Sequence, residues 1–331
     1  MRAEPADRLR IGYHASHEQF APSELLGGVQ AAEQAGFDAA MCSDHFAPWS
    51  ARQPHSGFAW SWLGAALATT TLPFGVVTTP IGRRYHPVIT TQAAATLAEM
   101  FPERFWMALG SGEALNERVT GERWPAKAER DARLGEAVDI MRALFAGETV
   151  SRRGGLIDVE EARLYTRPNV PPLFIAAALT PETARRAGAW ADGLVTINQP
   201  LDRLRAIIEA FREGGGEGKP LSLQVHLSYA DTLEVARASA HDQWRFNTLS
   251  SSVAAELKLP EQFDAATRLV RPEDLDESIL ISDDADWHAA QLSEFAELGF
   301  RDIYLHNVGL NQRTFIETFG ALVLPQLRGG A

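Results

Sequence analysis

A single cysteine, Cys42, cannot close an intramolecular disulfide, so this chain of 331 residues must rest on its core, as expected in a reducing compartment. Basic residues are also few: 31 against 43 acidic ones leave a formal charge of -12, and no run of Lys and Arg gathers the positive charge in one place. Phosphate backbones and anionic lipid are repelled by such a surface, which excludes nucleic acid and membranes as expected partners. The longest uninterrupted apolar stretch, 173–179, covers about a third of a bilayer span. The opening ten residues are charged and lack an apolar leader core, so a cytoplasmic location is expected. Neither a Gly-x-x-x-x-Gly-Lys loop nor a Gly-x-Ser-x-Gly elbow occurs, which removes the usual apparatus for nucleoside triphosphate and acyl-transfer chemistry. Metal hydrolysis has His14, His17 and His45 to draw on. The three-residue step sets His14 and His17 on opposite faces of an extended strand, and no Cys pair or His-Glu-x-x-His supports them, so no metal site is expected.

What remains is ordinary globular material, 45% hydrophobic, 22% charged and 9% aromatic. Short apolar, β-branched runs alternate with segments of helical period, and about eight of these runs read as strands. They fall at 9–15, 37–43, 73–79, 104–110, 173–178, 192–197, 221–229 and 302–307. A helix is expected over 23–36, where Leu25, Leu26, Val29 and Ala32 share a face and Gly36 supplies the stop. Repeated strand–helix units imply right-handed parallel crossovers, and eight of them close into a (β/α)₈ TIM barrel; an open doubly wound sheet is the alternative. One α/β domain spanning 1–331 is expected, with insertions near 49–61, 111–128, 147–172 and 246–283. The segment 147–172 reads as a small hairpin, with arms at 149–151 and 156–159. The other three fall on the side where a barrel keeps its active site.

Strand ends converge in a barrel, so polar groups there carry more weight than the same groups elsewhere. The second strand ends in Ser43-Asp44-His45 with Trp49 close behind, and imidazole is the side chain whose unperturbed pKa suits general acid–base work near neutrality. A structural His and Asp bound to loop backbone would read the same way. The fourth strand ends in Gly110-Ser111-Gly112-Glu113, where two glycines permit close backbone approach and a carboxylate follows. A tight turn would need the same glycines. His45 with Glu113 makes an acid–base pair on two strand ends. Glu18, Gln19, Thr78, Arg84 and His86 are further candidates.

At these residues the chain resembles the luciferase-like flavin-dependent oxidoreductases, and within them the branch containing F420-dependent glucose-6-phosphate dehydrogenase. The matching stretches include Gly12-Tyr13, Glu18-Gln19-Phe20-Ala21-Pro22, Ser43-Asp44-His45-Phe46, Pro48-Trp49 and Ser61-Trp62. They continue through Arg84-Tyr85, Gly112-Glu113-Ala114-Leu115-Asn116-Glu117, Ile175-Ala176-Ala177, Ala191-Asp192-Gly193 and Gln312-Arg313. The resemblance implies a TIM-barrel enzyme that passes a hydride between an organic substrate and the deazaflavin coenzyme F420. His45, Trp49, Glu113 and Glu18 take the catalytic positions. Asp44, Val77, Thr78, Ser111, Gly112, Ala176, Ala177 and Thr180 lie along the coenzyme. The resemblance also implies a non-prolyl cis peptide near Val77 and a homodimer formed through the second and third helices, with Trp60 and Trp62 in either the interface or the substrate loop.

The match fails where the similar enzyme grips a sugar phosphate with cations, since Pro200, Glu277 and Gln262-Phe263-Asp264 stand there. Glucose 6-phosphate is therefore not the expected substrate. The coenzyme's phosphate end is also altered, with Ala178-Leu179 in place of two glycines; the Thr180 hydroxyl and the following helix amides, with Arg83 or Arg84, remain to hold an anion. FMN, with a monooxygenase or reductase activity, is the alternative coenzyme. A barrel that has lost its flavin and only binds is the alternative from another class.

Overall fold

The computed structural model describes residues 8–329. The reading of the first ten residues as no leader, and the outermost ends of the 1–331 domain, fall partly or wholly outside that range. Eleven strands occur among the described residues: β1 (Arg10–Ala15), β2 (Ala39–Ser43), β3 (Phe74–Pro80), β4 (Phe105–Gly110), β5 (Val150–Arg152), β6 (Val159–Ala162), β7 (Leu173–Ala177), β8 (Gly193–Ile197), β9 (Leu221–Tyr229), β10 (Leu280–Ser282) and β11 (Asp302–Asn307). Eight of them pair side by side in parallel in the order β9-β11-β1-β2-β3-β4-β7-β8, and β8 pairs again with β9. These eight strands thus close into a barrel, which decides between the two architectures that strand counting allowed.

The expected strands are displaced by no more than two residues at either end. The helix expected over 23–36 runs Pro22–Gln34 and buries Leu25, Val29 and Ala32, with Leu26 half-buried at the margin. Glu24 Oε2 accepts from Ala21 N at 3.0 Å, and the chain leaves through Gly36 at φ 94°. The hairpin β5–β6 forms, but its second arm begins later than 156. Gly154 turns at φ 77° and donates its N–H to Asp158 Oδ1 at 3.0 Å, so the turn extends through Asp158. The strand β10 was not legible in the segment 246–283. Its three residues hydrogen-bond onto the tail of β9, a pairing that no local pattern announces.

Alternation along the strands divides the core into two shells. Ile11, Tyr13 and Ala15 point outward to the helices with Leu25 and Val29. Val77, Ala108, Ile175, Val195 and Tyr304 point into the lumen. The floor is closed by Trp106 and Tyr304, whose indole N–H donates to the phenol oxygen at 3.2 Å, with the Arg10–Asp302 pair beneath. Gly12 lies under the Tyr304 ring and Gly75 under the Trp106 indole, and a Cβ on either would overlap the ring. Trp60 and Trp62 are both buried and hydrogen-bonded within the chain, to Asp44 Oδ2 and Pro22 O, so neither is an exposed interface residue.

Gly75→Ala tests the plug. It should lower the free energy of unfolding by about 1–3 kcal/mol, the usual cost of overpacking, in a chemical denaturation series.

Candidate active site

The mouth of the barrel is organised by Asp44, the first residue after β2. Its side chain is buried, and each carboxylate oxygen has two donors. Oδ1 accepts from Tyr85 OH at 2.8 Å and Arg84 Nη2 at 3.1 Å; Oδ2 accepts from Thr79 Oγ1 at 2.9 Å and Trp60 Nε1 at 3.2 Å. Its backbone is also engaged, the N–H with Val77 O at 2.9 Å and the carbonyl with Arg84 Nη2 at 2.8 Å. Arg84 in turn pairs with Glu117, donating from its own N–H at 2.9 Å and from Nε at 3.2 Å. The loop beyond is tied as firmly. Asn116 Oδ1 accepts from Phe46 N and Ala47 N, Ser56 Oγ donates to His45 O, and Gln53 Oε1 accepts from Trp49 N.

These ties set His45 against the end of β1. His45 Nδ1 lies 2.7 Å from Glu18 Oε1, while Glu18 Oε2 accepts from Ser43 Oγ at 2.7 Å and Ser16 Oγ at 2.8 Å. Burial opposes charge on both partners, but the pair overrides it: Glu18 is held well below the usual carboxylate range, by His45 and by Ser43. His45 is raised above the ordinary histidine value, because Glu18 and, more weakly, Glu113 outweigh its desolvation. Glu113 enters from the other side, at the end of β4, where it starts the short helix Ala114–Glu117. Burial raises its carboxyl, His45 opposes the shift and the charge of Glu18 adds to it. The site therefore holds one ionised carboxylate, one basic imidazole and one carboxyl inclined to keep its proton. Trp49 lies edge-on to His45 at 4.7 Å between ring centres and is stacked on Phe246 at 5.4 Å.

His45 and Trp49 from the loop after β2, Glu18 from the end of β1 and Glu113 from the end of β4 thus come together from three sequence regions. Opposite them the lumen wall is small and apolar, with Val77, Ala108, Ile175, Ala177 and Val195. The peptide Val77–Thr78 is cis, and between Val76 and Thr79 two residues of β3, Val77 and Thr78, oppose one of β4, Ala108. Gly110 leaves room for the bulge, since a Cβ there would stand 2.5 Å from Thr78 Cγ2. Gly112 has φ 75°, and Ser111 and Thr78 are half-buried beside it. A flat ring finds here a wall without long side chains, so the residues present fit a flavin-type coenzyme. Ala176 is turned outward, into the shell of helices, while Ala177 stays half-exposed in the lumen. The Thr180 hydroxyl caps the helix Pro181–Ala187, accepting from Thr183 N at 3.3 Å. Arg84 is spent on Asp44 and Glu117, and Arg83 pairs with Glu122 at 2.8 Å, so neither is an idle cation.

Sequence reasoning named Asp44 and Arg84 but not the frame they build with Trp60, Thr79, Tyr85 and Glu117. A carboxylate at a strand end calls for donors, but which ones arrive depends on β3 lying beside β2. Phe263 and Asp264 also acquire roles: Phe263 packs edge-on against Trp49, and Asp264 accepts from Ser50 Oγ, Ala51 N and Arg52 Nη2. The described residues contain no cluster arranged to hold a metal ion, and no helix is long and apolar enough to cross a membrane.

Residues 7–302 match the model of the luciferase-like monooxygenase family. Among curated relatives, the F420-dependent glucose-6-phosphate dehydrogenase of Beutenbergia cavernae is 35% identical over 97% of this chain and 98% of its own. The protein of that name from Mycobacterium tuberculosis is 32% identical over 97% and 98%. Among solved structures, an F420-dependent secondary alcohol dehydrogenase in complex with an F420-acetone adduct superposes with a TM-score of 0.88 at 30% identity, covering 97% of this chain and 99% of that one.

Arg84→Met tests the frame. It leaves Asp44 and Glu117 buried without their cation, and breaking a buried pair from one side costs about 3–5 kcal/mol, to be read as a lower denaturation midpoint. An unchanged midpoint would show that Arg84 is not what offsets the two charges.

Proposed function

We propose, since this chain belongs to the luciferase-like monooxygenase family, that it is an oxidoreductase transferring a hydride between coenzyme F420 and an alcohol or carbonyl compound. The observation that carries the reading is the contact of His45 with Glu18 at 2.7 Å, with Glu113 electrostatically coupled across the mouth and the small-residue wall facing them. When bound, F420 supplies a hydride acceptor that a deazaflavin ring keeps from reacting readily with oxygen. The chain supplies the proton chemistry. His45 Nδ1 is turned to Glu18, so Nε2 is the nitrogen left to take the proton of a substrate hydroxyl, and Glu18 stabilises the imidazolium that results. Glu113 keeps its proton more readily than a free carboxyl does and is placed to hand it to the coenzyme side of the site. Trp49 confines the reacting carbon beside His45. Val77, Thr78, Ser111, Gly112 and Ala177 would hold the coenzyme ring, with Thr180 near its phosphate; Ala176, expected along the ring, faces the helices instead, and Asp44 braces the ring's surroundings instead of donating a free carboxylate.

A phosphorylated sugar does not suit this site. Pro200 and Glu277 line one cleft of about 150 Å³ together with Asp276 and Glu294, and no Lys or Arg lines it. An acidic cleft without a cation repels a dianion. The reading extends to a reducing cytoplasm, for which the lone buried thiol of Cys42 speaks, and to a homodimer, for which the exposed Phe58, Ile89 and Met100 around the second and third barrel helices speak. Sedimentation at micromolar concentration checks the latter.

Anaerobic titration of the purified protein with F420 and with FMN tests the coenzyme. F420 should bind well below millimolar, and FMN binding with oxygen consumption would replace this reading by a monooxygenase one. His45→Ala and Glu113→Gln should each lower turnover far more than coenzyme affinity. In the alcohol-oxidising direction His45 must begin neutral, so the rate should rise with pH through a pKa above the ordinary value. Glu18→Gln removes the charge that raises it and leaves burial, which lowers it. The rising limb should therefore move to lower pH, and a limb that stays in place would remove His45 from the role of base.

A further inference from the structure

Below the acid–base pair, on the half of the lumen opposite the small-residue wall, three imidazoles and an indole surround one another. His306 stands in the middle, with ring centres 4.4 Å from His14, 5.4 Å from His226 and 4.5 Å from Trp244. The mechanism above uses none of them.

Their hydrogen bonds assign the protons in sequence. Gln19 Nε2 donates to Val308 O at 2.8 Å and to Gln243 Oε1 at 3.2 Å, which leaves Gln19 Oε1 as an acceptor 3.0 Å from His306 Nε2. His306 thus carries its proton on Nε2 and offers Nδ1 to the Gln224 amide at 3.4 Å. The same Gln224 Nε2 reaches His226 Nε2 at 3.2 Å, so neutral His226 carries its proton on Nδ1. That N–H is buried and has no partner, and neither do His14 Nδ1 and the indole N–H of Trp244. Burial keeps the imidazoles uncharged, lowering His14 to about 4 and His226 to about 3. The cluster borders the reacting pair, since His14 feels the charges of Glu18 and His45 and the chain passes from His14 to Glu18 within four residues.

Two unpartnered donors and one further imidazole nitrogen, all buried and neutral, suit an oxygen that is itself neutral. A carboxylate or phosphate would ask for a cation in the lumen, and a purely apolar ligand would leave all three polar atoms unpaired. We infer that His14, His226 and Trp244 form a subsite for a second, uncharged oxygen of the substrate, so that the preferred substrates are diols or hydroxyketones. This rests on the hydride-transfer reading above and deepens it.

The test uses the protein loaded with F420, following coenzyme reduction by butan-2-ol against butane-2,3-diol and by pentan-2-ol against pentane-2,4-diol. Wild-type protein should favour at least one diol over its matched alcohol by about ten-fold or more in kcat/KM, because a site built to bond an oxygen rejects the analogue without it. His14→Phe and His226→Phe should each bring that ratio towards one, whatever they do to the overall rate. His226→Asn, which returns an amide N–H near the place of Nδ1, should keep a larger ratio than the Phe variant. Coenzyme affinity, measured alongside, shows that each variant is folded. A wild-type ratio near one in both pairs, or ratios unchanged in both Phe variants, overturns the subsite alone. No oxidation of any of the four alcohols by protein that binds F420 overturns the alcohol-oxidising reading, and the subsite with it.

Discussion

A buried carboxylate at the end of a barrel strand must be surrounded by donors, and at Asp44 that requirement organises the whole mouth. Four side chains from three regions converge on its two oxygens: Trp60 from the helix after β2, Thr79 from β3, and Arg84 and Tyr85 from the loop beyond β3. Because Arg84 also holds Glu117, the loop after β4 is drawn into the same frame, and with it Glu113. The charge on Asp44 is thereby offset without solvent, and the neighbouring residue, His45, has little freedom left. Preorganisation of this kind holds an imidazole within contact of one carboxylate and under the influence of a second.

The lumen is asymmetric, and the asymmetry has a chemical sense. Strands β3, β4, β7 and β8 present small apolar side chains and the cis peptide, while β1, β9 and β11 present imidazoles and an amide. A planar ring and a smaller polar molecule can lie against the two halves without competing for the same groups. Titration is divided in the same way. At the mouth, the charge of Glu18 raises His45 and burial raises Glu113; on the polar half, desolvation that no counter-charge outweighs lowers His14, His226 and His306. Residues of one type, His14 in β1 and His45 in the loop after the adjacent β2, are thus shifted in opposite directions by their surroundings.

Much of this was legible in the chain. Alternation of short apolar runs with helical periods predicts a parallel α/β fold, since β-branched runs bounded by turn residues have few other uses. Ser43-Asp44-His45 and Gly110-Ser111-Gly112-Glu113 stand out because strand ends in a barrel converge, and the family resemblance agrees with both. Less was legible about what each polar residue does. Asp44 reads as a coenzyme contact until its partners are seen. Thr180 reads as a phosphate ligand without any sign that its hydroxyl also caps a helix, and Trp60 and Trp62 read as interface or substrate-loop residues but are buried and bonded within the chain. Three residues of β10 carry no periodic signal at all.

Composition and periodicity by themselves settled that the chain closes no intramolecular disulfide and is built of strand–helix units, because those properties sum over local residues. Residue type and position at strand ends also singled out His45 and Glu113 as candidates. Closure of the barrel, the outward turn of Ala176, the tautomers of the buried histidines and the direction of every pKa shift were decided only by tertiary structure. Each depends on which groups from distant positions share a volume without water, and neither burial nor a hydrogen-bond partner is a property of a residue considered alone.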